Sequence, residues 1–202
     1  MVIKNNIEPS FSYWCFSNNQ KTWSLFDYNL NRNSYIEKAY ELIRLGIFDT
    51  FHSYGGYHES GGKLITREKM KNVLHILKDN GVKTRVFSNH GGVNDNQNIG
   101  GYWASYQLGD LIGSQYYNLD LLKDFGIDFF WTDLDYDNDD SVKFINNTKN
   151  SLIKTQLCRD NNNIIRFSRF RGNFGTKKAP TINNFKEQIS YILNNQQTGY
   201  TI

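Results

Sequence analysis

Short apolar or β-branched runs alternate with amphipathic segments along the chain, and this alternation constrains the fold more than any other feature. A strand that alternates with a helix is typical of stacked βαβ units and a parallel sheet. The runs that predict strands are residues 12–16, 47–51, 84–87, 127–131, 164–167 and 200–202. The sequence therefore predicts an α/β fold, an incomplete or distorted (β/α) barrel with parallel strands and outer helices.

Four segments between these runs predict helices, namely residues 34–44, 66–78, 114–125 and 184–194. Ser34 and Glu37 stand at the spacing of a capping box, in which each side chain satisfies a free backbone N–H group. The second segment carries apolar residues at helical spacing, Met70, Val73, Leu74 and Leu77. Residues 152–157 and 164–170 flank a polar stretch and predict a β-hairpin instead of a crossover.

The last predicted strand begins only at residue 200, and the sequence ends at Ile202. A stable domain rarely ends on the first residues of a buried strand. We therefore expect a single barrel domain over residues 1–202 that lacks its C-terminal strands.

Composition and motifs remove several classes of function. The net charge of +3 comes without a long basic stripe, so no nucleic-acid partner is expected. No stretch approaches the ~20 apolar residues of a membrane span, and no apolar signal segment opens the chain, so we expect a cytoplasmic location. The dinucleotide-binding glycine pattern, the P-loop and the Gly-x-Ser-x-Gly elbow are all missing, which disfavours hydride transfer, phosphoryl transfer and serine hydrolysis.

Ionisable residues follow the predicted strands, where parallel α/β folds place their ligands. Asp49 and His52 end one strand, and His90 follows the next strand beside two glycines. Imidazole and carboxylate together suit a divalent metal such as zinc, or an acid–base pair. Sharing one ion requires the chain to bend after Thr50. The alternative is that Asp49 caps a neighbouring loop and that His52 is a hydrogen-bonded, partly buried histidine.

Later loops add further candidates. Asp133 follows the strand over residues 127–131 and is the candidate base that takes a proton from a bound water. The acidic stretch after it lacks the glycine and final glutamate of an EF-hand and indicates a solvated loop. The candidate substrate-binding residues are Asn94, Trp131, Arg169 and Arg171. The arginines alternatively lie exposed at a strand edge.

These residues resemble the polysaccharide deacetylase-like superfamily over residues 46–131, and again around Arg169 and Arg171. The resemblance implies a distorted (β/α) barrel that removes acetyl groups from sugars with a bound divalent metal. It places Asp49 in the aspartate motif and His90 in the histidine motif. Two positions depart from the family pattern: Thr50 follows Asp49 where a second aspartate is usual, and Asn94 replaces a second histidine.

Three hypotheses follow from the sequence. The first is a metal-dependent carbohydrate hydrolase in which Asp49, His52 and His90 bind zinc. The second is a non-catalytic carbohydrate-binding or scaffolding relative on the same barrel. The third is a fragment without a complete site. The family's late histidine, which protonates the leaving group, has no counterpart before Ile202. We therefore expect weak hydrolysis of acetylated sugars that His90→Ala abolishes.

Overall fold

The computed structural model describes residues 11–18, 23–58, 60–90, 93–101, 104–131 and 153–167. The chain divides into two compact units, Met1–Leu134 with Lys154–Phe167 and Asp135–Ile153 with Ser168–Ile202. Apart from Ile153, every residue described below belongs to the first unit. The predicted helix 184–194 and the predicted strand 200–202 lie outside the described residues, and the single domain stays a prediction.

Within the described ranges, seven strands form one mostly parallel sheet. In chain order they are β1 (Phe11–Phe16), β2 (Ser24–Phe26), β3 (Phe48–Phe51), β4 (Val86–Ser88), β5 (Phe129–Trp131), β6 (Ile153–Leu157) and β7 (Asn163–Phe167). Their order across the sheet is β2-β1-β3-β4-β5-β7-β6, and the pairs from β2 through β7 are all parallel. The predicted α/β class is thus confirmed. Among the described residues the sheet is open, with β2 and β6 at its edges, so a closed barrel is not confirmed.

The β6–β7 pair forms the predicted hairpin. The two strands are neighbours in the sheet and are joined by residues 158–162. The backbone N–H of Cys158 donates to the carbonyl of Asn162 at 2.8 Å, which closes the turn. Strand β2, by contrast, was not predicted.

In the part of the chain that the structure describes, three helices cross between the strands: α1 (Ile36–Arg44), α2 (Arg67–Asp79) and α3 (Leu119–Phe125). The apolar residues of α2 that stand at helical spacing are all buried, as predicted. None of the helices in the described part of the chain has the length and apolar character that crossing a membrane requires.

Two helix starts differ from the prediction. Helix α1 begins at Ile36 with Tyr35 as its N-cap, so Ser34 does not cap it, and the Glu37 carboxylate pairs with Arg32 instead. Helix α3 begins at Leu119 and not at residue 114. The side chain of Asn118 donates to the carbonyls of Gln97 and Tyr116 at 2.7 and 2.8 Å, which fixes the preceding residues as turns.

All three helices belong to one face of the sheet. From β2 to β3, β4 and β5 the chain steps across the sheet in one direction, with a helix in each step. Because such crossovers are right-handed, steps in the same direction place these helices on the same side. The core on this side joins helix residues to a row of buried strand residues, Tyr13, Phe51, Phe87 and Phe130.

The opposite face of the sheet carries a second row in register: Ser12, Thr50, Val86, Phe129 and Ile165. Every member of this row is half-buried, whereas the residues of the helix-covered row are fully buried. Successive side chains of a strand point to opposite faces, so the two rows follow from one alternation. The half-buried row leads directly to the candidate site.

Candidate active site

Two histidines meet at the carboxyl ends of the central strands. His52 comes directly after β3, and His90 comes two residues after β4. The Nε2 atom of His52 lies 2.7 Å from the Nδ1 atom of His90, a hydrogen-bond distance. Because β3 and β4 are adjacent and parallel, residues that follow their carboxyl ends arrive at one edge. The structure thus brings together two of the three predicted metal ligands.

Trp14 of β1 completes the immediate surroundings of the pair. Its ring stacks on the His52 ring at 5.3 Å and 11°, and it lies at 4.4 Å and 57° from the His90 ring. The backbone N–H of His52 donates to the Tyr13 carbonyl at 2.8 Å, which sets His52 beside Trp14. The sequence interpretation missed Trp14 because it considered loops after strands, and Trp14 lies within a strand.

Ser12 of β1 contacts the other side of the His52 ring. Its Oγ lies 3.1 Å from His52 Nδ1, so both ring nitrogens of His52 have polar partners. Ser12 pairs with Thr50 in the sheet register, and His52 comes two residues after Thr50, just past the end of β3. Ser12, Trp14 and His52 therefore share the half-buried face. The alternating pattern of β1 contained this signal, but only pairing with β3 reveals it.

Asp49 does not join the histidines. Its carboxylate accepts a hydrogen bond from the Thr50 hydroxyl at 2.9 Å. The predicted set required a bend after Thr50, but β3 continues through Phe51. Residues three apart in an extended strand point to opposite faces. Among the described residues, no group of three or more His, Cys, Asp or Glu side chains is arranged to hold a metal ion.

The remaining predicted site residues fall in different places. Trp131 ends β5, is nearly buried, and accepts a hydrogen bond at its carbonyl from the Asn89 N–H at 3.0 Å, next to His90. Asn94 lies exposed in a turn. Asp133, Arg169 and Arg171 lie outside the described residues.

Buried amide side chains hold the loop that carries His90. Asn89 and Ile99 are joined twice, from Asn89 Nδ2 to the Ile99 carbonyl at 2.9 Å and from the Ile99 N–H to Asn89 Oδ1 at 3.0 Å. Asn98 Nδ2 donates to the His90 carbonyl at 2.7 Å. Such side-chain bonds satisfy backbone groups that no strand partner reaches. They fix His90 in a segment without regular secondary structure.

The same loop is tied to the segment that follows His52. Gln97 Nε2 donates to the Gly55 carbonyl at 2.8 Å, and Asp95 accepts from the Tyr57 N–H at 2.8 Å. Gly55 has φ +147°, and a Cβ there would lie 2.4 Å from the Phe16 carbonyl oxygen. Only glycine permits this approach. The two histidine-bearing segments are therefore held against each other and against the end of β1.

A buried ion pair anchors the far end of this loop. Burial raises the pKa of the Asp110 carboxyl, but hydrogen bonds from the Arg159 side chain and backbone and from the Gly100 N–H outweigh it, so the pKa lies below its usual value. The Asp110 side chain is fully buried, and its Oδ1 lies 2.5 Å from Arg159 Nη2. Asp110 thus links the loop after His90 to the turn of the β6–β7 hairpin.

Comparison with known proteins does not assign this chain to a family. No family model, curated protein or solved structure matches this chain. The resemblance to polysaccharide deacetylases therefore stays a prediction.

Proposed function

We propose that this chain is a hydrolase that acts on a carbohydrate, with the His52–His90 pair as its catalytic centre. The observation that carries the proposal is the 2.7 Å contact between the two imidazoles at the carboxyl edge of a parallel sheet. Ligands of parallel α/β proteins bind at this edge. The position of the histidine pair is therefore more typical of a reaction site than of a packing contact in the core.

The pair is suited to moving a proton. Imidazole is the side chain whose ordinary titration falls near neutral pH, which makes it the commonest general acid and base. Two nitrogens at 2.7 Å hold one proton between them, so a proton gained by one ring redistributes toward the other. In the proposed reaction the pair accepts a proton from the attacking group and returns it to the leaving group.

The aromatic surroundings support a sugar as the substrate. Trp14 is half-buried beside the pair, and the half-buried Phe129 and Ile165 continue the same face of the sheet. Aromatic faces beside polar groups suit the apolar faces and hydroxyl groups of sugar rings. Trp131, at the end of β5, is the predicted substrate-binding residue closest in sequence to this face.

We also propose that the parallel sheet is a segment of a (β/α) barrel. A row of parallel strands with every helix on one side is the arrangement of a (β/α) barrel segment. The half-buried row then corresponds to the inward face of the barrel. This arrangement supports the resemblance to the polysaccharide deacetylase-like superfamily without depending on a sequence match.

The described residues fit a divalent metal only in part. His52 and His90 supply two imidazole ligands, and Asp49 does not complete a set of three. We therefore derive no step through a metal. Zinc dependence stays a proposal with its own test: chelation abolishes acetate release and added zinc restores it. A metal-free preparation with undiminished turnover refutes it.

The hydrolase proposal is tested by acetate release from acetylated xylan and acetylated chitooligosaccharides. We expect slow release by the unmodified protein and a loss of about 10²–10⁴-fold in His90→Gln, because general acid–base assistance contributes that much. His75→Gln is the matched control, since His75 lies on α2 with its side chain 75% exposed. Full activity in His90→Gln contradicts the proposal.

The alternative is a carbohydrate-binding protein that performs no reaction. The half-buried Trp14 favours it, because an aromatic platform is useful for binding alone. Calorimetric titration with the same oligosaccharides separates the two. Binding that Trp14→Ala weakens, together with undetectable acetate release, supports the alternative and rejects the hydrolase.

A further inference from the structure

Ser12, His52 and His90 form a continuous chain of polar contacts. Ser12 Oγ lies 3.1 Å from His52 Nδ1, and His52 Nε2 lies 2.7 Å from His90 Nδ1. A hydroxyl within reach of a base that a third group orients is the arrangement of an activated nucleophile. We propose that Ser12 is the nucleophile of an acyl-transfer reaction, with His52 as its base and His90 orienting His52. This inference rests on the proposed hydrolase function.

Ser12 differs from the other serines near the site. It belongs to the half-buried row of the sheet, level with Thr50 of β3. Ser53 is buried and lies in the Gln97 and Asn98 hydrogen-bond network, and the Ser88 hydroxyl donates to the Asn89 carbonyl at 3.2 Å. Of these three serines, Ser12 is the one whose hydroxyl contacts an imidazole. The position of Ser12 therefore suits a reacting group, whereas Ser53 and Ser88 stabilise the surrounding loops.

The proposed substrate is an O-acyl ester of a sugar. The Ser12 hydroxyl transfers its proton to His52 Nδ1 while Oγ bonds to the carbonyl carbon and the C=O pair moves to oxygen. Collapse of this intermediate breaks the bond to the sugar oxygen, which takes the proton from His52 and leaves as the alcohol. Water then attacks the acyl-serine, gives its proton to His52, and releases the acid as Ser12 regains the proton.

His90 takes part without touching the substrate. The step requires the His52 tautomer that carries its proton on Nε2, because Nδ1 must accept from Ser12. His90 Nδ1 is the acceptor at 2.7 Å that holds this tautomer. As His52 becomes charged, the same contact becomes a charge-assisted hydrogen bond and strengthens. His90 is thus a positioning residue for His52 in this reaction.

A fluorophosphonate probe tests the assignment directly, since an activated serine displaces its fluoride and forms a stable bond to phosphorus. We expect mass spectrometry to place the label on Ser12 in the unmodified protein and in Ser88→Ala. Ser12→Ala removes the label, and His52→Ala slows labelling at least tenfold.

The Ser12→Cys variant provides a second measurement, which tests the proposal even if the alanine variants fold poorly. Cys15 and Cys158 are both fully buried, and burial raises the pKa of each thiol, so iodoacetamide leaves the native protein unmodified. We expect Ser12→Cys to be alkylated faster than Val86→Cys, a half-buried control on the same row. Equal rates overturn the activation of Ser12 by His52.

The outcomes separate this inference from the function on which it rests. If Ser12 is labelled but the protein releases no acetate from any acetylated sugar, the carbohydrate function is rejected and the assignment of Ser12 as a nucleophile is retained. Acetate release that persists in Ser12→Ala rejects the nucleophile and keeps the hydrolase. An unlabelled Ser12 in a protein that also releases no acetate rejects both.

Discussion

The buried pair of Asp110 and Arg159 allows the sharpest test of what holds the candidate site in place. The Asp110 carboxylate accepts hydrogen bonds from the N–H groups of Gly100, Gly101 and Arg159 at 3.0–3.1 Å and from the Arg159 guanidinium. Asp110→Ala leaves these donors without their acceptor in a region that water does not reach. Removing one partner of a buried ion pair costs about 3–5 kcal/mol, so we expect a loss of that size in the free energy of unfolding.

Asp120→Ala is the matched control. Asp120 also pairs with an arginine, Arg67, at 2.6 Å, but both side chains are more than a third exposed. Exposed pairs contribute about 0–1 kcal/mol, because water and salt screen them. Urea unfolding of both variants measures the two losses on one scale. The reasoning is refuted if Asp110→Ala costs no more than Asp120→Ala.

The same pair makes a pH prediction with a definite sign. The pKa of Asp110 is lower in the folded protein than in the unfolded chain, where an aspartate titrates near ~3.9. Its contribution to stability is therefore fully present above that pH and is lost as the pH falls through the folded value. The difference in stability between the unmodified protein and Asp110→Asn should shrink on acidification from pH 7 to pH 3. A difference that stays constant over this range contradicts the assignment.

Three further substitutions test the core and the loops. Leu77→Ala should cost about 2–5 kcal/mol in urea unfolding, because Leu77 is fully buried on α2 and leaves a cavity; exposed Lys78→Ala should cost little. Gly55→Ala should destabilise measurably, since its Cβ would meet the Phe16 carbonyl oxygen at 2.4 Å; unchanged thermal unfolding contradicts this contact. Asn98→Asp replaces the donor to the His90 carbonyl with a repelling oxygen, so we expect NMR contacts between the His52 and His90 rings to weaken; intact ring contacts would show that His90 is held by other groups.

Much of the fold follows from periodicity. Helix α2 was predicted nearly to its ends, because four buried apolar residues repeat on one face. Strands β3, β4 and β5 were predicted from short apolar runs separated by helices. The predicted start of α3 at residue 114 was wrong. Asn118 donates to the carbonyl of Gln97, which is distant in the sequence, and this bond keeps the residues before Leu119 in turns. Long-range side-chain bonds of this kind leave no periodic trace in the sequence.

Two of the four residues that form the candidate site, His52 and His90, were predicted from the sequence. His52 and His90 were placed together because residues after adjacent parallel strands reach one edge, and the structure brings them to 2.7 Å. Asp49 stays apart because β3 continues in extended form through Phe51. Ser12 and Trp14 were missed because β2 and α1 separate β1 from β3 in the chain, and only the pairing of β1 with β3 shows that they share a face with His52.

The two rows of the sheet divide the protein into parts that respond differently to sequence change. Substitutions at Tyr13, Phe51, Phe87 or Phe130 disturb helix packing and are limited by stability. Substitutions at Thr50, Val86 or Phe129 alter the surface beside the histidines while the packed core is kept. A library randomised at these three positions should thus yield folded variants with altered ligand preference. The sheet thus carries a replaceable surface on a packed support, so ligand preference can change there without rebuilding the fold.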